Sequence, residues 1–123
     1  MPKKVLIIED NADVAQGLAD FLNVSGFEAR IALDALCGVT AAHRFKPDLI
    51  LLDLMLPAGG GLMVLKTIKL STHTNKIPVL VITGSLDEDY KKKVSEYGVS
   101  TFLQKPCNAG QVLSEAKKLL QIA

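Results

Sequence analysis

Five polar residues stand where this chain could do chemistry: the adjacent pair Glu9 and Asp10, then Asp53, Thr83 and Lys105. The first four directly follow the apolar runs Val5 to Ile8, Leu49 to Leu52 and Val79 to Ile82, and Lys105 comes after Gln104 at the end of a weaker run, Thr101 to Leu103. If those runs are strands of one parallel sheet, all five groups converge on one edge. Three carboxylates brought together repel one another and raise each other's pKa unless a cation sits among them. An all-oxygen set without His or Cys suits Mg²⁺, a hard ion that keeps several waters. A hydroxyl and an ammonium beside that ion are suitable donors for a phosphoryl oxygen. Asp53 is then the natural nucleophile, because an aspartate can carry a phosphoryl group as an acyl phosphate.

The elements that must position these groups are legible in the hydropathy pattern. The three strong runs lack polar alternation, as strands covered on both faces do. Phe27 to Ala32 alternates Phe27, Ala29 and Ile31 with Glu28 and Arg30, as an edge strand would. Helical spacing links Val14, Leu18, Phe21 and Leu22 before Gly26, and recurs in Val112, Ala116, Leu119 and Leu120. Leu36, Val39 and Phe45, then Leu62 to Leu70, then Asp87 to Tyr97 before Gly98 supply three more helices. Five strands alternating with five helices make one doubly wound α/β domain, whose ligand site lies outside the carboxyl ends of the strands.

Length and composition agree. At 123 residues the prior is a single domain, residues 1–123, large enough to fold without disulfide or structural metal. With 14 Lys plus Arg against 13 Asp plus Glu, the net charge of +1 leaves no broad basic surface for nucleic acid or anionic membrane. Cys37 and Cys107 lie in no CxxC or Cys/His cluster and read as idle thiols. The apolar runs are far short of the ~20 residues that span a bilayer, and the amino terminus is not a signal peptide, so a cytoplasmic protein is expected.

Four segments together resemble the receiver domain of two-component response regulators, over essentially the whole chain: Glu9-Asp10, Asp48 to Pro57 around Asp53, Thr83-Gly84, and Phe102 to Pro106 around Lys105. The resemblance implies a flavodoxin-like (βα)5 fold with a five-stranded parallel sheet of order 2-1-3-4-5. It implies phosphotransfer to Asp53 from a histidine kinase or histidine phosphotransfer protein. Asp10 and Asp53 would ligate Mg²⁺, Glu9 would do so directly or through water, and the Met55 backbone carbonyl would complete the protein ligands. Thr83 and Lys105 would hold phosphoryl oxygens, and Phe102 falls at the aromatic switch position. Lys105-Pro106 matches a peptide that is commonly cis in receivers. Phosphorylation would draw Thr83 inward, let Phe102 turn, and change the surface of the fourth helix, fifth strand and fifth helix for an unidentified protein target, with a phosphorylation-dependent dimer as one form of output. Slow water attack on the acyl phosphate would reset a signalling switch that is not an enzyme in the usual sense.

Blander readings exist for each group. Asp10 could cap the helix that begins near Ala12, Thr83 could be an ordinary strand residue and Lys105 a solvated one. Gly59-Gly60-Gly61 reads as a flexible loop, since no GxxxxGK[ST] pattern accompanies it. Gly84 and Ser85 should leave access to Asp53 open, and Glu9 and Phe102 stand where Asp and Tyr are commoner. Lys91 to Lys93 reads as a solvated face, and His43 and His73 as surface histidines. Tyr90, Val94, Phe102 and Gln111 form the expected partner surface. Two other functions compete with the switch. A phosphorylation-independent pseudo-receiver is opposed by the intact five-residue set. An aspartyl phosphatase would want a second acid two residues after the nucleophile, where this chain has Met55. The chain reads either as a stand-alone receiver or as a domain of a longer regulator or hybrid kinase.

Overall fold

A computed structural model describes residues 1–84, 87–99 and 101–122. Strands β1 (Lys4–Ile8), β2 (Glu28–Ala32), β3 (Leu49–Leu52), β4 (Val79–Thr83) and β5 (Phe102–Gln104) form one parallel sheet in the order β2-β1-β3-β4-β5. Helices α1 (Ala12–Val24), α2 (Ala35–Phe45), α3 (Gly60–Leu70), α4 (Glu88–Ser95) and α5 (Ala109–Leu120) connect them or, for α5, close the chain. The expected architecture is thus the observed one.

The unalternating strand runs have a direct physical consequence: successive side chains feed two cores, one on each face of the sheet. Leu6, Ile8, Ile50, Leu52, Val79 and Val81 pack with α2, α3 and α4 on one face. Val5, Ile7, Leu49, Leu51, Leu80 and Ile82 pack with α1 and α5 on the other.

The helix faces differ in part from the expectation. On α1 the buried stripe is Ala15, Ala19 and Leu22, while Val14 and Phe21 are exposed. On α2 it is Gly38, Ala42 and Phe45, with Leu36 exposed. Small residues let each helix lie close to the sheet. A Cβ at Gly38 would stand 2.9 Å from the Ile8 side chain, so the bulkier apolar residues are turned outward. The triple glycine is likewise no loose loop. Gly59 takes φ +71° as the N-cap of α3, and Gly60 and Gly61 are buried in its first turn, where a Cβ on Gly61 would collide with the Leu54 backbone. Val94 is fully buried, so it drops out of the expected partner surface.

Candidate functional site

Strand register brings the site together. Val5 to Ile8 pair with Leu49 to Leu52, so Glu9 and Asp53 emerge side by side where these strands end. The next rung continues the ladder, with the Asp53 N–H donating to the Ile8 carbonyl at 3.1 Å and the Glu9 N–H to the Ala32 carbonyl at 3.1 Å. On the other side Thr83 pairs with Gln104, and the Lys105 N–H donates to the Thr83 carbonyl at 2.9 Å. All five expected groups therefore lie along the carboxyl edge of the sheet.

Their side chains are unequal in environment. Glu9 and Asp53 are buried, at 5% and 7% exposure, and Thr83 is wholly buried, whereas Asp10 is exposed. The Lys105 ammonium donates to Glu9 Oε1, and to Asp53 Oδ2 at 2.9 Å. The remaining carboxylate oxygens are held by main chain: Asp53 Oδ1 accepts from the Met55 N–H at 2.9 Å, and Glu9 Oε2 from the Asn11 N–H at 3.2 Å. Burial pushes the Glu9 carboxyl above its ordinary value, and the Lys105 hydrogen bond pulls it back only in part. Burial pulls the Lys105 ammonium down, but its bonds to Glu9 and Asp53 outweigh that and leave it above its ordinary value.

Asp10 does not cap α1. Asn11 does, its Oδ1 accepting from the Val14 N–H at 3.1 Å, which leaves the Asp10 carboxylate available to the cluster. One oxygen each from Glu9, Asp10 and Asp53 lies within 4.8 Å of the others. Hard oxygen donors at this spacing fit Mg²⁺. Thr83 Oγ1 is the one buried side-chain polar atom without a hydrogen-bond partner among the described residues. A buried hydroxyl in that condition costs about 1–3 kcal/mol, and none of the described residues offsets that cost.

Phe102 is half-buried and packs with Tyr90 against the core on the α4 side of the sheet. Burial pushes the Tyr90 phenol above its ordinary value, and the Asp53 charge adds to the effect. Lys105-Pro106 is cis, as the sequence suggests. Gly84 is exposed with open space around it, while Ser85 lies outside the described residues. A feature absent from the sequence reading is a cleft of about 570 Å³ between α1 and α5. It runs from Glu9, Asp53 and Lys105 past Val14, Gly17 and Cys107. Its signal was the Ala15, Ala19 and Leu22 stripe, which rotates Val14 and Gly17 away from the core.

Comparison with known proteins gives a single family. The family model "Response regulator receiver domain" matches residues 5–117. The polar-differentiation response regulator DivK of Brucella anthropi is 30% identical over 120 residues, covering 98% of each chain. The phosphate regulon transcriptional regulatory protein PhoB of Klebsiella pneumoniae is 31% identical over 121 residues, but the chain spans only 53% of that protein's length. Among solved structures, the signal receiver domain of a DNA binding response regulator protein (merR) from Colwellia psychrerythraea matches with a TM-score of 0.86 at 30% identity, covering 97% of this chain and 98% of that one. A CheY-like receiver domain protein from Methanospirillum hungatei superposes with a TM-score of 0.90 over 98% of this chain and 95% of its own, and at 24% identity it supports the fold.

Proposed function

The chain belongs to the response regulator receiver domain family, and on that premise we propose that residues 1–123 are one phosphoacceptor domain of a two-component or phosphorelay system with Asp53 as the residue modified. The observation that carries this reading is the buried, unpartnered Thr83 hydroxyl beside a lysine-bridged carboxylate pair. Buried hydroxyls without a partner are uncommon, and a phosphoryl oxygen would satisfy this one.

In the proposed transfer an Asp53 carboxylate oxygen attacks the phosphorus of a phosphohistidine on a histidine kinase or phosphotransfer protein. The new O–P bond forms as the P–N bond breaks, and the imidazole nitrogen keeps the electron pair. Mg²⁺, held by Glu9, Asp10, Asp53 and the Met55 carbonyl, would supply positive charge against the transferring group. Lys105, already on Asp53 and Glu9, is placed to follow the charge onto a phosphoryl oxygen, and Thr83 donates to another. Movement of Thr83 would free Phe102, and the change reaches the surface carrying Tyr90, Phe102 and Gln111 for a protein target or a second copy. Water attack on the acyl phosphate returns the Asp53 carboxylate and inorganic phosphate, so the domain acts as a signalling switch and not as a turnover enzyme. No helix among the described residues is long and apolar enough to cross a membrane, and the proposed working place is the cytoplasm, without direct contact to nucleic acid.

A phosphorylation-independent interaction module is not favoured, since Glu9, Asp10, Asp53, Thr83 and Lys105 are all present and assembled on one edge. The test is intact mass after incubation with acetyl phosphate, with and without Mg²⁺. A gain of one phosphoryl group that requires Mg²⁺ and is absent in Asp53→Asn supports the reading. No gain in a folded, Mg²⁺-binding protein overturns it.

A further inference from the structure

The amino-terminal edge of the sheet holds a second group of potential ligands that the phosphoacceptor chemistry does not use. His43, in the last turn of α2, and His73, in the turn between α3 and β4, stand with ring centroids 6.3 Å apart and planes inclined by 61°. Both are exposed, and together they line a cavity of about 550 Å³ with Lys46, Pro47 and Ile77. We propose that His43 and His73 form a binding site for a late first-row transition-metal dication of the Zn²⁺ or Cu²⁺ type, separate from the acidic cluster.

Three features carry the proposal. His43 Nδ1 lies 3.0 Å from the Val39 carbonyl oxygen, which can only accept. The ring proton is therefore on Nδ1, and the Nε2 lone pair can ligate an ion that displaces its one neighbour, the Ser71 hydroxyl at 3.4 Å. Metal-bound histidines characteristically donate their other ring N–H in this way. Second, Ser71 ties the two histidines into one unit. Its Oγ accepts from the His73 N–H at 3.3 Å and lies 3.4 Å from His43 Nε2, to which its own proton can point.

Third, the turn that carries His73 is pinned. The Thr74 hydroxyl donates to the Ile68 carbonyl at 2.7 Å, the Asn75 N–H to the Ser71 carbonyl at 2.8 Å, and the Lys69 ammonium to the Ile77 carbonyl at 2.9 Å. With metal–nitrogen bonds of about 2.0–2.1 Å, two imidazoles on one ion place their centroids roughly 5–6 Å apart, close to the 6.3 Å observed. Imidazole donors select Zn²⁺, Cu²⁺ or Ni²⁺ over Mg²⁺, with water filling the other positions. Lys46 is the one adverse charge lining the cavity, and as an exposed group its repulsion is screened by solvent and salt.

The experiment is calorimetric titration of Zn²⁺ into the full chain at neutral pH with Mg²⁺ in excess, so that the hard ion competes for the carboxylates. One saturable site is expected. Its affinity should fall at least tenfold in His43→Gln and equally in His73→Gln, with circular dichroism unchanged, and Cu²⁺ should bind more tightly than Zn²⁺. Absence of saturable binding overturns the proposal. Unchanged affinity in either variant also overturns it, and assigns the ion to the free thiols of Cys37 and Cys107 or to the acidic cluster.

Discussion

The two ends of the sheet solve the same problem in opposite ways. At the amino ends, polar groups close on one another. The Lys4 N–H donates to the Asp48 carboxylate and the Asp48 N–H to the Lys4 carbonyl, both at 2.8 Å. The Lys4 ammonium and the Arg30 guanidinium also sit 5.2 and 4.6 Å from the Phe45 ring centroid. At the carboxyl ends one ammonium is shared between two buried carboxylates, and a buried hydroxyl has no partner among the described residues. The first arrangement holds the fold together, whereas the second leaves bonding capacity for something that arrives. At the carboxyl ends it is the Thr83 hydroxyl, not the carboxylates, that the described residues leave unsatisfied.

The contrast can be broken at either end. The largest stability effect is expected at Gly61, where an added methyl meets the Leu54 backbone instead of a flexible side chain. Gly61→Ala should destabilise by about 1–3 kcal/mol or more in urea unfolding and disturb the segment between Asp53 and α3. At the amino ends, Asp48→Ala removes the acceptor of the part-buried Lys4 N–H. It should cost about 1–2 kcal/mol in the same measurement and leave phosphoryl uptake from acetyl phosphate unchanged.

The smallest effect concerns Asp34, the N-cap of α2. Its carboxylate accepts from the Cys37 N–H at 2.7 Å, and that bond holds its pKa below the ordinary 3.8. A depressed carboxyl stabilises the fold above its unfolded pKa, and the contribution is lost as pH falls through the folded value. Acid titration of wild type against Asp34→Asn should therefore separate the two curves above pH 3.8 and merge them below it.

How much of this was legible in the sequence depends on what each signal measures. Leu49 to Leu52 reads as a strand with its observed bounds, because a four-residue apolar run between polar residues is too short for a buried helix. The types and order of the site residues were legible too, since each follows such a run. The helix faces were less so. Ala15, Ala19, Gly38 and Gly61 carry little hydropathy, yet they set how near each helix lies, while larger neighbours such as Val14 and Leu36 dominate the pattern and are exposed. The bridging of Glu9 and Asp53 by Lys105 and the isolation of Thr83 were beyond reach, because both depend on strand register and side-chain rotamers.

If the buried Thr83 hydroxyl receives a phosphoryl oxygen, as proposed, Thr83→Val tests it most directly. Thermal unfolding would be followed for wild type and variant, each with and without Mg²⁺ and beryllium fluoride as a phosphoryl mimic. The resting variant is expected to unfold within about 1 kcal/mol of wild type or to be more stable, since the Thr83 hydroxyl bonds to none of the described residues, and the mimic is expected to raise its midpoint by clearly less. A resting variant destabilised as though a good hydrogen bond had been removed, with the full response to the mimic retained, would contradict it.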